Sequence, residues 1–365
     1  ELEGGVIYVN ANDAEVTFNI DTSNFESNSN KEVNGGVICL DGISNANIDT
    51  CTFNNNKGKM GSVILIKNPN NEKLRLFIDS SLIMNNNATI GAIATSPKVT
   101  AFIDGCVLAN NTGEYRNIYN NGFTVAHDTI FDVKNVELKA LNVKYGESSI
   151  ISGTADIGAN IYAAANLTVA GENITVEIKD NAFTYNTDIL NPGKYHAVLN
   201  GIVDYNENAY HMDSITKMFK VNSASFDLNV SVDNITYGET IKVTETLPAN
   251  AMGTISYQLN GVYYTKEELE SLKLDAGKYS LVAFYNDDTF ESTYSIIDFE
   301  VKKANPTISV ADVEVGSDEN ITVNIETNVP SIYTIEIGDY KTDKYVNGSR
   351  AVEIDEIFED MIVYN

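Results

Sequence analysis

Gly4-Gly5-Val6-Ile7-Tyr8-Val9 returns as Gly35-Gly36-Val37-Ile38-Cys39-Leu40, then as Gly61-Ser62-Val63-Ile64-Leu65-Ile66, and in reduced form as Gly91-Ala92-Ile93-Ala94. Between these blocks runs a second series: Ile20-Asp21-Thr22-Ser23-Asn24-Phe25, Ile48-Asp49-Thr50-Cys51-Thr52-Phe53, Ile78-Asp79-Ser80-Ser81-Leu82-Ile83 and Ile103-Asp104-Gly105-Cys106-Val107-Leu108. An Asn-rich turn follows each. Two short β-type segments per repeat, at a period of about 25–30 residues, predict stacked coils of a solenoid. Apolar and polar residues alternate within each coil (Phe18 and Ile20 against Asn19 and Asp21), as in strands with one face in a core. The central expectation is geometric: Ile20, Ile48, Ile78 and Ile103 should lie over one another as one internal row.

The turns repeat in register. Asn28, Asn56, Asn86 and Asn111 share one column, and Ser27, Asn55, Asn85 and Asn110 the next. Asn tolerates the left-handed conformation, and stacked Asn side chains can hydrogen-bond along a solenoid axis. The glycine pairs suit corners too tight for a Cβ. Alignment puts Ser23, Cys51, Ser81, Cys106 and Asp128 in a further column. Cys51 and Cys106 are then two coils apart, roughly 9–10 Å at sheet spacing, too far for a disulfide. The three cysteines therefore read as buried, reduced thiols. A degenerate fifth coil runs through Ile118-Tyr119, Phe123-Thr124-Val125 and Ile130-Phe131. No cap precedes Gly4, so residues 1–132 are expected to be the C-terminal coils of a longer solenoid.

From about Val133 a longer repeat begins. Val143-Lys144-Tyr145-Gly146-Glu147 matches Ile235-Thr236-Tyr237-Gly238-Glu239 and, loosely, Val313-Glu314-Val315-Gly316-Ser317. Leu190-Asn191-Pro192-Gly193-Lys194-Tyr195 matches Leu274-Asp275-Ala276-Gly277-Lys278-Tyr279. Units of roughly 80–90 residues with many short alternating strands have the size of an immunoglobulin-like sandwich, and the Gly-Lys-Tyr element sits where that fold places its tyrosine corner. The predicted organisation is all-β: a right-handed parallel β-helix over 1–132, then tandem immunoglobulin-like β-sandwich domains over 133–223, 224–303 and 304–365. The third, which lacks a Gly-x-Tyr element, is expected to be truncated. A helix over Lys266 to Leu272 reads as a short insertion in the second sandwich.

The 365 residues carry a formal charge of −27, which argues against nucleic acid and anionic membrane surfaces as partners. No run approaches the ~18 apolar residues needed to cross a bilayer as a helix.

The paired Gly-Gly-Val-Ile and Phe-x-x-Asn elements (Phe25 to Asn28, Phe53 to Asn56) resemble the GGAI and FxxN repeats of chlamydial polymorphic outer membrane proteins, which build a right-handed parallel β-helix. Such coils joined to Tyr-Gly-Glu sandwich repeats, in an acidic and Asn-rich chain, resemble the adhesin-like proteins of methanogenic archaea such as Methanobrevibacter. The third and fourth coils depart from the pattern with Gly-Ser and Gly-Ala, and Leu82-Ile83 and Val107-Leu108 lack the Phe. The resemblance implies an extracellular, cell-surface protein that attaches to surface glycans or proteins of other cells. Attachment to its own membrane or wall would run through parts outside this chain.

Parallel β-helices also carry polysaccharide lyases and glycosidases, so catalysis is the rival reading, with a ligand-free envelope component as a third. Asp21, Asp49, Asp79 and Asp104 align in one outward column about 4.8 Å apart per coil, a candidate ladder for calcium or carbohydrate. The alternative is four solvated carboxylates at a strand–turn junction, each bonded to its own backbone. Arg75 and Arg116 are the only arginines of the solenoid, and neither repeats in register with these aspartates, so no enzyme and no catalytic residue is expected. No cofactor is expected beyond that possible calcium. His127, His196 and His211 show no metal-ligand spacing, and His127-Asp128 alone carries little information. Asn87, Asn110, Asn166, Asn173, Asn229, Asn234, Asn320 and Asn347 each open an Asn-x-Ser/Thr sequon that an extracellular chain could glycosylate. A Lys-to-Asn or Lys-to-Asp crosslink in the sandwiches has no assignable partners, since Lys242 corresponds to Ile150.

Overall fold

A computed structural model describes residues 3–11, 15–29, 32–69, 73–305, 307–310, 321–337 and 340–354. The repeat element Val313 to Ser317 and the sequon at Asn320 lie outside the described residues. The described residues are all-β with one short helix, and the chain divides into two compact units, Glu1–Asn222 and Ser223–Asn365.

The first unit opens with a parallel solenoid whose coils contribute three strands each, one more than the repeats suggest. The first sheet stacks Ile7–Asn10, Ile38–Asp41, Ile64–Lys67, Ile93–Thr95 and Ile118–Asn120. The second stacks Thr17–Asp21, Asn45–Asp49, Leu74–Asp79, Val99–Asp104 and Phe123–His127. Asn24–Glu26, Thr52–Asn54, Leu82–Met84, Val107–Ala109 and Ile130–Asp132 belong to the third. The extra strand arises because each Ile-Asp-to-Phe segment is broken in the middle. Thr22, Thr50, Ser80, Gly105 and Asp128 take φ between 45° and 56° there, turning the chain from the second sheet into the third.

The register stacks Ile20 on Ile48, Ile48 on Ile78 and Ile78 on Ile103, with Ala126 continuing the row. Ile48, Ile78 and Ile103 are buried in one core with Ile38, Ile64, Phe53 and Leu108. The Asn columns divide the work at the third corner. Ser27, Asn55, Asn85 and Asn110 hold the left-handed conformation, while their neighbours Asn56, Asn86 and Asn111 turn inward and are buried. Oδ1 of Asn86 accepts from the backbone N–H and Nδ2 of Asn56 at 2.9 and 3.0 Å, and the same pair of bonds links Asn86 to Asn111. Each Nδ2 also donates to a carbonyl of the preceding coil, Asn56 to Phe25 and Asn86 to Phe53 at 3.0 Å. A buried polar ladder of this kind is tolerated because every donor is matched. On the same connection, between the third and first sheets, Gly5 and Gly36 let coils approach: a Cβ on Gly5 would sit 1.9 Å from the Gly36 carbonyl oxygen.

A second side-chain ladder runs through Cys51, Ser81, Cys106 and Thr129, each accepting from the backbone N–H of the member before it, starting with Ser81 Oγ taking the N–H of Cys51 at 3.0 Å. Thr129, not Asp128, occupies the fifth place, because Ala126 and His127 align with Ile103 and Asp104. The three cysteines are free and buried. Burial pushes the Cys39 thiol up to about 12 and that of Cys106 up to about 11.

The rest of the first unit is a sandwich. One sheet holds Lys134–Ala140, Ile150–Asp156 and Ala182–Asn186. The other holds Val143–Lys144, Ile215–Asn222, Gly193–Val203, Ala164–Val169 and Glu172–Glu177. Leu138, Ile151, Leu167, Phe183, Leu199 and Phe219 form its core. The hydroxyl of Tyr195 donates to the Asn191 carbonyl at 2.8 Å, a tyrosine corner. In the Tyr-Gly-Glu turn Gly146 has φ +92°, and the Glu147 carboxylate accepts from the Lys144 N–H. The connection between Gly193–Val203 and Ile215–Asn222 leaves the sandwich and pairs Ala209–His211 in parallel with Ile130–Asp132, adding a sixth strand to the solenoid's third sheet. Asn208 Oδ1 accepts from Thr129 N–H at 2.9 Å and so extends the side-chain ladder by one place.

In the second unit Asn229–Val232 pairs with Val243–Thr246, opposite a sheet of Ile235–Thr236, Thr293–Lys302, Gly277–Asn286, Thr254–Leu259 and Val262–Tyr264. Tyr279 donates to the Asp275 carbonyl at 2.9 Å, and Gly238 with Glu239 repeats the Tyr-Gly-Glu turn. The helix Lys266–Ser271 is no insertion. It stands in the chain where the first sandwich has the strand Ala182–Asn186, and Glu270 accepts from Val243 N–H at 2.8 Å on the edge that strand would pair. A capping box between Thr265 and Glu268 starts it, and Leu269 is buried. Beyond Lys303 the described residues form one antiparallel sheet of Ile308–Val310, Ile321–Ile337 and Tyr340–Ile354. There Tyr333 donates to the Val329 carbonyl, the same four-residue reach as Tyr195 and Tyr279 without a Gly-x-Tyr sequence.

Candidate binding face of the solenoid

Alternation in the second sheet sends every other residue outward, so stacking converts sequence repeats into columns. Three columns result. Asp21, Asp49, Asp79, Asp104 and His127 form one; Asn19, Asn47, Phe77, Phe102 and Val125 the middle one; Thr17, Asn45, Arg75, Thr100 and Phe123 the third. All four sequence-predicted aspartates are thus brought into line, and His127 closes their column, a member that the repeat alignment misses. Counting back four residues from Phe131, as from Phe53 to Asp49, would have found it.

Each aspartate is held locally. Thr22, Thr50 and Ser80 donate their hydroxyls to Oδ1 of Asp21, Asp49 and Asp79 at 2.6, 2.9 and 2.8 Å, so the bonds go to the next side chain rather than to the backbone. Asp104 instead meets His127 Nδ1 at 2.8 Å. That hydrogen bond, with the negative field of Asp104, Glu207 and Asp128, holds the imidazole above its ordinary pKa of 6.5. Among the described residues no three His, Cys, Asp or Glu side chains gather closely enough to hold a metal ion.

The middle column is amphipathic along the axis. Asn47 donates to Asn19 at 2.6 Å at one end. Toward the other, Phe77 and Phe102 stack with ring centres 5.0 Å apart and planes 10° from parallel, and Phe77 stays exposed. Phe77, Phe102 and Val125 floor an open groove of about 270 Å³ that Asp79, Asp104 and His127 border. Such a groove can stack an apolar ring face on phenyl rings while carboxylates accept, and the imidazolium donates, hydrogen bonds at its edge. Anionic ligands meet repulsion there. Arg75 stands in the third column, on the far side of Phe77 from Asp79 along its strand. Arg116 is buried, bonded to Asp132 and Asp156 at 2.9 Å, and does not reach this face.

No protein-family model matches the chain, and no curated protein sequence matches it. Several solved structures are similar to it at low identity. A three-immunoglobulin-domain structure of titin I67–I69 shares 13% identity at a TM-score of 0.23, covering 60% of this chain and 87% of titin's. A calcium-stabilised, ice-binding adhesin of an Antarctic bacterium shares 14% at 0.19, covering 62% of this chain and 65% of the adhesin. The first two immunoglobulin domains of DIP-gamma share 14% at 0.21, covering 46% of this chain and 98% of theirs.

Proposed function

We propose that this chain is part of an extracellular cell-surface adhesin, of the kind found in methanogenic archaea, which holds partner cells through glycans or proteins on their surface. The solenoid presents the second sheet as a non-catalytic contact face, and the sandwiches carry it outward. The observation that supports this is the stacked Phe77–Phe102 pair left open beside an acidic edge, on a rigid sheet built of repeated coils. Large rings exposed in register on a flat sheet suit contact with an extended surface, and many copies on one cell would multiply weak contacts into firm attachment. No helix among the described residues is long and apolar enough to cross a membrane.

The test is attachment of the full chain to candidate partner cells. Phe77→Ala and Phe102→Ala are expected to reduce it at least several-fold without changing the far-UV circular dichroism. Attachment is expected to survive chelation of calcium, because the aspartates are bonded to neighbouring hydroxyls. Loss on chelation, reversed by added calcium, would instead place a cation on the Asp21, Asp49, Asp79 and Asp104 column. Attachment indifferent to both phenylalanines would remove the face from the mechanism.

A further inference from the structure

A second concavity lies within the first unit, where the last solenoid coil meets the sandwich. It encloses about 660 Å³, within the range of ligand pockets, and it forms between two packed parts of one unit, where such sites are common. It borders the other end of the strand Phe123–His127 from the groove just described.

Three aromatic residues converge on it from three segments: Tyr115 before the first-sheet strand, Phe123 at the start of the second-sheet strand, and Tyr162 from the sandwich. They are 39%, 66% and 44% exposed, an unusual amount of ring surface to leave wet at one place. Tyr162 is also held in place, stacked on Tyr205 at 4.9 Å with a hydroxyl–hydroxyl bond of 3.1 Å. The polar part of the lining is mainly acidic and amide, with one cation, Lys179. Glu177 is paired with Lys179 at 3.2 Å and Asp156 with Arg116 at 2.9 Å, whereas among the described residues no ion pair forms to Glu114 or Asp180.

We infer that this junction cleft is a second binding site, for an uncharged oligosaccharide. A pyranose presents an apolar C–H face to an aromatic ring and a belt of hydroxyls at its rim. Tyr115, Phe123 and Tyr162 supply the rings, and the carboxylates of Glu114 and Asp180 supply acceptors for hydroxyl donors. The two carboxylates without an ion pair repel uronic, sialylated or sulfated sugars. The surrounding ring surface is too large for a site devoted to a simple cation. The inference stands on this cleft alone and holds whether or not the solenoid face binds cells.

The test titrates the full chain with a panel of neutral oligosaccharides, including cellotetraose, xylotetraose, mannotetraose and chitotetraose, beside tetragalacturonate and oligolysine. At least one neutral sugar should bind. Phe123→Ala and Tyr162→Ala should each weaken it about tenfold, the loss of one stacking contact. The titrations are made in a Phe77→Ala background, which removes the solenoid face, so a loss on adding Phe123→Ala or Tyr162→Ala reports on this cleft alone. Glu114→Gln, which keeps shape and removes charge, should admit tetragalacturonate more readily and so reports on the site even if a ring variant were to lose stability. The proposal falls if no neutral sugar binds, if oligolysine or the galacturonide binds in preference, or if a neutral ligand ignores both Phe123→Ala and Tyr162→Ala.

Discussion

Asn86 donates to the Phe53 carbonyl and to Asn111, and accepts both the backbone N–H and the side-chain amide of Asn56. Asn86→Ala removes these partners from groups that stay buried, and is expected to cost about 2–4 kcal/mol in urea unfolding. An exposed neighbour such as Asn85→Gly should cost much less, since it keeps the left-handed backbone. His127 answers to pH. Its pKa is raised in the folded chain by the bond to Asp104, so the pair's contribution is complete below pH 6.5 and fades as pH rises through the folded value. Proton NMR should give His127 a titration midpoint above 6.5, and Asp104→Asn should lower it. At this scale the repeat made the aspartates and buried asparagines legible, because identical residues recur in register. His127 and Thr129 were hidden because Ala126 replaces the guiding isoleucine of the fifth coil.

At the level of elements, local signals carried furthest. Gly-Lys-Tyr identified both tyrosine corners, since the phenol reaches a carbonyl only four residues back. Tyr279→Phe is expected to lower the stability of the second unit by about 1 kcal/mol in a denaturant melt. The third such bond, Tyr333 to Val329, carries no glycine and escaped the pattern. A helix over Lys266 to Leu272 was legible, but its place in the sandwich was not. That depends on Glu270 meeting the Val243 edge, a contact between residues 27 apart. Thr265→Ala removes the cap and should cost about 1 kcal/mol by the same measurement. Three strands per coil were missed for a related reason: a single left-handed residue inside each segment (Thr22, Thr50, Ser80, Gly105, Asp128) is invisible to hydrophobic alternation.

For the whole first unit the decisive contacts join coil to sandwich. Arg116, nearly buried, bonds Asp132 of the solenoid and Asp156 of the sandwich. Burial raises the pKa of Asp132, but the Asn110 N–H, Arg116 and Lys134 outweigh it and hold the carboxyl below its ordinary value of 3.8. Stability from this group is therefore present above 3.8 and lost as pH falls through the lower folded value. Arg116→Ala leaves Asp156 without its cation and Asp132 with Lys134 alone, and is expected to cost about 3 kcal/mol. It should also split the unfolding of residues 1–222 into two transitions by calorimetry. None of this was legible from repeats, because Arg116, Asp156, Asn208 and the strand Ala209–His211 lie outside any repeating column. That returning strand has a consequence for how such a chain can change length. Apart from the Lys67–Glu3 ion pair, which reaches across two coils, the backbone ladders of the upstream coils join each coil to the next in the same way, so one could be duplicated or deleted as a whole with little redesign. The fifth coil is matched to its own lid through Thr129, Asn208 and Arg116, so variation in reach has to be written into the coils before it.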